Sequence, residues 1–257
     1  MKKVGLALSG GGARGFAHVG VLKALVENDI PIDLIAGTSA GSFVGGAYAA
    51  GLSIDEILEV GKQISWFGVA GFSYSPKGFL SNAAMKGFIE KSFPVTKFED
   101  LRIPFTAVAC DLETGEEVYL KDEGDLTHAI RASCAIPGVF VPVSDDGRQL
   151  VDGGVVSPIP TRAVKKMGAD VIIAVDLISA TTHWGSPSTL VGTFFQSAMI
   201  MLRTTSVHQH YRADVIIEPA ISHIRPDEIA KRDELIELGY ESVIGRLDEI
   251  KKAVGNN

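Results

Sequence analysis

The chain has 257 residues, 46% of them hydrophobic and 21% charged, with a formal net charge of -7. That length and apolar content suit one large core and exclude a disordered chain. The acidic balance excludes a general nucleic-acid binder, which needs a basic face against phosphates, and excludes tight docking on anionic lipid by charge alone.

Strand and helix patterns alternate from the start. Val4–Leu8 is a short apolar run ending in a glycine cluster, which predicts a buried strand. It is too short for the apolar region of a secretory signal, despite Lys2 and Lys3 before it. Phe16–Glu27 carries Val19, Leu22, Leu25 and Val26 at helical spacing and is stopped by Asn28-Asp29-Ile30-Pro31. Leu34–Ala36 is a second strand, and Gly41–Ala50 a helix rich in small residues. Ser53 followed by Glu56 predicts a capping box for a helix over Ile54–Gln63.

Trp66–Leu80 mixes aromatics with glycines and Pro76, which predicts a loop and suggests a cap over a binding site. Beyond it, helices are expected over Asn82–Phe93, Asp125–Ser133, Pro160–Met167 and Leu190–Ser206, with one or two more within Pro226–Val254. Strands are expected over Phe105–Cys110, Glu117–Leu120, Val171–Leu177 and Val215–Glu218. Val139–Val143 and Gln149–Val151 are expected to form a hairpin around Asp145-Asp146-Gly147.

The alternation predicts an α/β fold: a three-layer sandwich with a mainly parallel sheet covered by helices on both faces. No linker or repeat interrupts it, so a single domain over 1–257 is expected. Its chemistry-bearing motifs fall within about 4–165, and 166–257 completes the fold and shapes the substrate site. No run approaches the roughly 18 apolar residues of a membrane span. Cys110 and Cys134 are too few for a disulfide framework or a zinc site. A reducing, cytoplasmic setting is therefore expected, with lipid met, if at all, by peripheral contact from the water side.

Gly10, Gly12 and Gly15 fit G-x-G-x-x-G between a strand and a helix. As a dinucleotide site, that pattern needs an acid at the end of the second strand. Asp33 lies at the wrong end of it, so a nucleotide- or acyl-phosphate-binding regulator is the weaker alternative. The same loop leaves backbone N–H groups, Gly11 and Gly12 first among them, free to hold an oxyanion. Arg14 would shape the loop, add positive charge, or form an ordinary surface ion pair.

Gly37-Thr38-Ser39-Ala40-Gly41 matches G-x-S-x-G between a strand and a helix. Glycines two before and two after the serine relieve the crowding of a sharp turn that lifts its hydroxyl above the sheet edge. The alternative is a helix cap at Thr38 or Ser39. A serine nucleophile needs a base. None of His18, His128, His183, His208, His210 and His223 follows a strand into a glycine-rich loop. Asp152, followed by Gly153 and Gly154, does, although Asp-Gly alone more often caps its own turn.

Together these motifs resemble those of the patatin-like phospholipase family, in the right order across residues 10 to 154. Gly10-Gly11-Gly12-Ala13-Arg14-Gly15 is similar to its oxyanion loop, Gly37–Gly41 to its nucleophile elbow and Asp152-Gly153-Gly154 to its D-G-G/A motif. Ala132–Phe140 is similar to the segment that precedes the family's aspartate, and Asp111–Gly115 fits more weakly. The compact length resembles the small bacterial members. The resemblance implies a Ser39–Asp152 dyad, no metal, and hydrolysis of acyl esters of lipids; no cofactor and no nucleic-acid partner are expected. Phe194, Phe195, Met199, Met201 and Leu202 are candidates to line an acyl channel.

Overall fold

The computed structural model describes residues 2–64, 71–72, 75, 77–179 and 186–255. The strands of its main sheet are β1 (Val4–Leu8), β2 (Leu34–Thr38), β5 (Phe105–Asp111), β6 (Glu117–Lys121), β8 (Val143–Asp145), β9 (Arg148–Asp152), β10 (Val171–Val175) and β11 (Val215–Ile217). They run in the order β11-β10-β1-β2-β5-β9-β8, with β6 pairing β5 off this path. The five from β11 to β5 are mutually parallel, whereas β6 and β9 pair β5 antiparallel and β8 pairs β9 antiparallel.

Helices α1 (Phe16–Glu27), α2 (Ala40–Ala49) and α3 (Ile54–Gln63) follow β1 and β2, and α4 (Ala83–Ser92) precedes β5. Then come α5 (Leu126–Ser133), α6 (Thr161–Lys166), α7 (Leu190–Gln209), α8 (Arg232–Ile244) and α9 (Leu247–Val254). The period-two alternation of the strands sorts the core. Leu6, Leu8, Ile35, Ile173 and Val175 pack with α1, α2, α5, α8 and α9. Ala7, Ala36, Ala174 and Ile172 face the other way, toward Ala163 and Val164 of α6. Small residues on that second face let α6 lie close to the sheet. The expected capping box is present: Ser53 Oγ accepts from Glu56 N, and Glu56 Oε2 accepts from Ser53 N at 2.7 Å.

One expectation needs correction. Only Val143–Asp145 pairs with β9, through a turn in which Asp146 and Gly147 both have positive φ (45° and 82°), as a tight hairpin turn demands. The preceding residues form β7 (Gly138–Phe140), which joins a separate small sheet made with β3 (Gly71–Phe72) and β4 (Gly78–Ser81), in the order β3-β4-β7. Of the expected aromatic cap, Trp66, Phe67, Tyr74 and Pro76 lie outside the described residues, while Phe79 is exposed on β4.

Candidate active site

β2 ends at Thr38 and α2 begins at Ala40, so Ser39 alone makes the corner. Its φ of 52° lies in the left-handed region, which a residue with a Cβ enters at a cost of roughly 1–3 kcal/mol. The chain folds back so sharply that a Cβ on Gly37 would lie 2.4 Å from the Gly41 carbonyl oxygen. The corner is tied down by polar bonds. Ser39 O accepts from Ser42 N at 2.8 Å and from Ser42 Oγ at 2.7 Å. Ser39 N donates to Ser133 Oγ at 2.9 Å, and Thr38 Oγ1 donates to Ser157 O at 2.8 Å. The alternative of a side-chain cap is not met, since Ser39 stands at the N-cap of α2 with no capping bond.

The glycine loop lies beside this corner, because β1 and β2 are adjacent parallel strands. Gly12–Gly15 forms a single 3-10 turn that continues into α1. Gly12 has φ 58°, and a Cβ there would stand 2.5 Å from Pro226 O, which instead accepts from Ala13 N at 2.7 Å. Gly10 N is taken by Pro158 O. Among the described residues, no backbone acceptor stands against Gly11 N or Gly12 N.

Arg14 is buried, so the surface ion pair is excluded. Its Nε donates to Ile224 O at 2.8 Å and its Nη1 to Leu177 O at 3.0 Å, binding the loop to the ends of two later segments. Burial pushes this guanidinium down to about 10, leaving it charged at neutral pH.

Asp152 reaches the same place from the opposite direction. Its strand runs antiparallel to β5, with Asp152 opposite Ala109, while Thr38 is opposite Val108. β5 therefore sets Ser39 and Asp152 one step beyond its pairing with β2. The Asp152 carboxylate is buried and accepts from Gly154 N at 2.8 Å, so it does cap its own turn. Burial pushes it up to about 6, opposed by the nearby Ser39 hydroxyl and by the hydrogen bond from Gly154 N. Gly153 packs so closely on β5 that a Cβ would lie 2.2 Å from Val108 O.

Ser39, Gly12 and Gly15 open onto a cavity of about 140 Å³ whose other walls are mainly apolar, among them Phe43, Val44 and Met85. Cys134 also lines it, and burial together with the charge on Asp152 pushes that thiol up to about 12. None of the described side chains of α7 expected to line an acyl channel lines this cavity. Phe194 and Met201 point to solvent, Met199 and Leu202 are half-buried, and the side chain of Phe195 lies outside those described. Leu202 instead packs toward Gly154.

The end of α7 carries polar anchors that sequence reasoning missed. Asp176 Oδ2 accepts from Ser206 Oγ at 2.5 Å and from His210 Nε2 at 2.7 Å, and its Oδ1 accepts from Ile178 N and Ser179 N. Gln209 bonds Ile159 N and Val156 O, in the stretch after Gly154. Asp176, His210 and Glu218 are also the one group among the described residues whose side-chain donors cluster as metal ligands do, although Asp176 already spends both oxygens. No local pattern announces this network, because its members come together only through β10 and α7.

Three of the other histidines have partners. His18 is buried and bonds Ser9 O, His128 pairs Asp145, and His223 pairs Glu234. His208 is exposed, and His183 lies outside the described residues. Asp33 bonds Val4 N at the far edge of the sheet, so no acid occupies the ribose position at the end of β2. No described helix is long and apolar enough to cross a membrane.

Residues 6–165 match the family model described as Patatin-like phospholipase. The chain is 42% identical over 178 residues to an uncharacterised NTE family protein of Mycobacterium tuberculosis, a match covering 68% of this chain and 49% of that protein. It is 30% identical over 285 residues to lysophospholipase NTE1 of Coccidioides immitis, covering 99% of this chain and 18% of that protein. The chain thus spans about half or less of the length of these curated relatives. Among solved structures it is similar in fold to VipD from Legionella pneumophila, with a TM-score of 0.57 at 13% identity, over 98% of this chain and 67% of that one.

Proposed function

The chain belongs to the patatin-like phospholipase family, and from that premise we propose that it hydrolyses acyl esters of lipids through a Ser39–Asp152 dyad. One observation carries the assignment. A serine held in a strained corner faces an apolar cavity, and a buried carboxylate pushed up to about 6 lies against its hydroxyl.

Ser39 Oγ attacks the ester carbonyl carbon and passes its proton to Asp152. The negative charge that develops on the carbonyl oxygen is held by Gly11 N and Gly12 N, fixed in place before the reaction. Collapse of this intermediate breaks the bond to the alcohol, which leaves with the proton from Asp152. Water, deprotonated by Asp152, then attacks the acyl-enzyme and frees the acid and Ser39. Gly10, Gly15 and Arg14 keep the loop in this shape. The raised Asp152 is a stronger base than an exposed carboxylate, which suits it to take a hydroxyl proton. The protein's substrates are expected to be lipid or simple esters whose acyl chain enters the apolar cavity, single-acyl lipids among them, as the lysophospholipase name of one relative suggests. No cofactor or nucleic acid enters this scheme.

A panel of esters from short chains to phospholipids, run on wild type, Ser39→Ala and Asp152→Asn, tests it. Loss of general-base help lowers the rate by about 10²–10⁴-fold. Both variants should therefore fold yet be nearly inactive, and a fluorophosphonate should label wild type but not Ser39→Ala. Full turnover by Ser39→Ala would sink the assignment.

A further inference from the structure

The proposed nucleophile and base lie far apart in the chain, yet both hang on one three-residue segment, Ser133-Cys134-Ala135, at the end of α5. Ser133 is fully buried. Its Oγ accepts from Ser39 N at 2.9 Å and donates its own proton to Val108 O at 2.6 Å. Two residues on, Ala135 O accepts from Asp152 N at 2.9 Å. Val108 is the β5 residue opposite Thr38, and its carbonyl is the one against which Gly153 packs. The hydroxyl of Ser133 thus joins the corner at Ser39, the central strand and the approach to Asp152 at one point.

The corner needs such a partner. Ser39 turns out of the β2 ladder with a φ of 52°, so its N–H has no strand neighbour to bond. Left unpaired in the interior, that N–H would favour relaxation toward a backbone that rotates Oγ away from Asp152. We propose that Ser133 is a positioning residue for this hydrolysis: its hydroxyl fixes the backbone of Ser39, and with it the approach of Ser39 Oγ to Asp152 and to the ester carbon. It acts through Ser39 and touches no substrate. The inference rests on the Ser39–Asp152 assignment above.

Ser133→Ala, Ser133→Thr and Ser133→Cys test it, with kcat, KM and the rate of fluorophosphonate labelling measured on each folded variant. A displacement of about 1 Å at a reacting group can cost about 10²-fold. Ser133→Ala should therefore lose about 10- to 100-fold in kcat and in labelling rate, with KM nearly unchanged. The rising limb of its pH profile should stay where wild type has it, because the surroundings of Asp152 are intact. Ser133→Thr, which keeps the hydroxyl, should regain most of the rate, and Ser133→Cys, with its weak donor, should fall between. Ser53→Ala, destabilised at a distant cap, serves as the control that destabilisation alone does not slow labelling. Wild-type labelling by folded Ser133→Ala, or by folded Ser133→Cys should the alanine variant not fold, overturns the inference. Failure of the underlying assignment reads differently: wild type itself would resist labelling, or Ser39→Ala would turn over.

Discussion

Asp152 meets two demands that pull in opposite directions. As a proposed base it must be ionised, but burial pushes it from an ordinary value of 3.8 up to about 6. Ionised Asp152 takes the proton, so kcat/KM should rise with pH through about 6 and level off above it. A pH–rate profile for a soluble ester checks this, and a limb near 4 would show that burial does not act on the free enzyme. The same elevation bears on stability. Between 3.8 and about 6 the folded state binds more proton than the unfolded, so this group's contribution to stability falls as pH rises across that window. Cys134 illustrates the contrary case. Its thiol is pushed up to about 12 in the same surroundings, which keeps it protonated and a poor competitor to Ser39.

At the scale of elements, α2 carries both the corner and the cavity wall. Phe43 and Val44 follow Ser39 by one helical turn and line the space where an acyl chain would lie. Val44→Phe should fill part of that space. A contact of one methylene is worth about 10-fold or more in discrimination, so kcat/KM for long-chain esters should fall by at least about tenfold while an acetate ester is little affected. An unchanged chain-length profile would mean the chain lies elsewhere. The neighbouring helix α3 offers a control remote from chemistry. Ser53→Ala removes one half of a complete capping box and should cost about 1 kcal/mol in urea denaturation with kcat unchanged. Local signals of this kind are legible in the sequence, as are the strand Val4–Leu8 and the helix Ile54–Gln63, because period and cap are properties of neighbouring residues. The destination of Gly138–Phe140 is not. Its partner, β4, lies far upstream, and strand pairing leaves no mark in either segment alone.

For the whole molecule, burial sets two proton equilibria against each other. His18 lies under the glycine loop on α1 with Nδ1 unpartnered among the described residues, and burial pushes it from 6.5 down to about 4. Its folded state stays neutral where the unfolded chain takes up a proton, so this contribution to stability is present above 6.5 and is lost as pH falls through about 4. Asp152 has the opposite slope over nearly the same range. Each tenfold change in proton affinity is worth about 1.4 kcal/mol, so each group contributes on the order of 3 kcal/mol and the two largely cancel. As pH rises from 4 to 6, Asp152→Asn should gain stability relative to wild type, and His18→Gln should lose it. Urea titrations at a series of pH values check the pair, and parallel curves for all three proteins would refute the linkage.

The sequence alone determined the alternation of strands and helices and the local shapes of the glycine loop, the G-x-S-x-G corner and the Asp-Gly-Gly turn. These are short-range matters: side-chain period, caps, and glycines where the backbone doubles back. The tertiary structure decided what those turns face. It buried Arg14 as a brace, placed Asp152 beside Ser39 through the pairing of β5 with both β2 and β9, and put the cavity against α2 and α4. It also hung Ser39 and Asp152 on Ser133–Ala135 and anchored α7 to Asp176. Each of these joins residues distant in the chain, and each gains its energy from the exclusion of water. Only the closed fold brings about that exclusion.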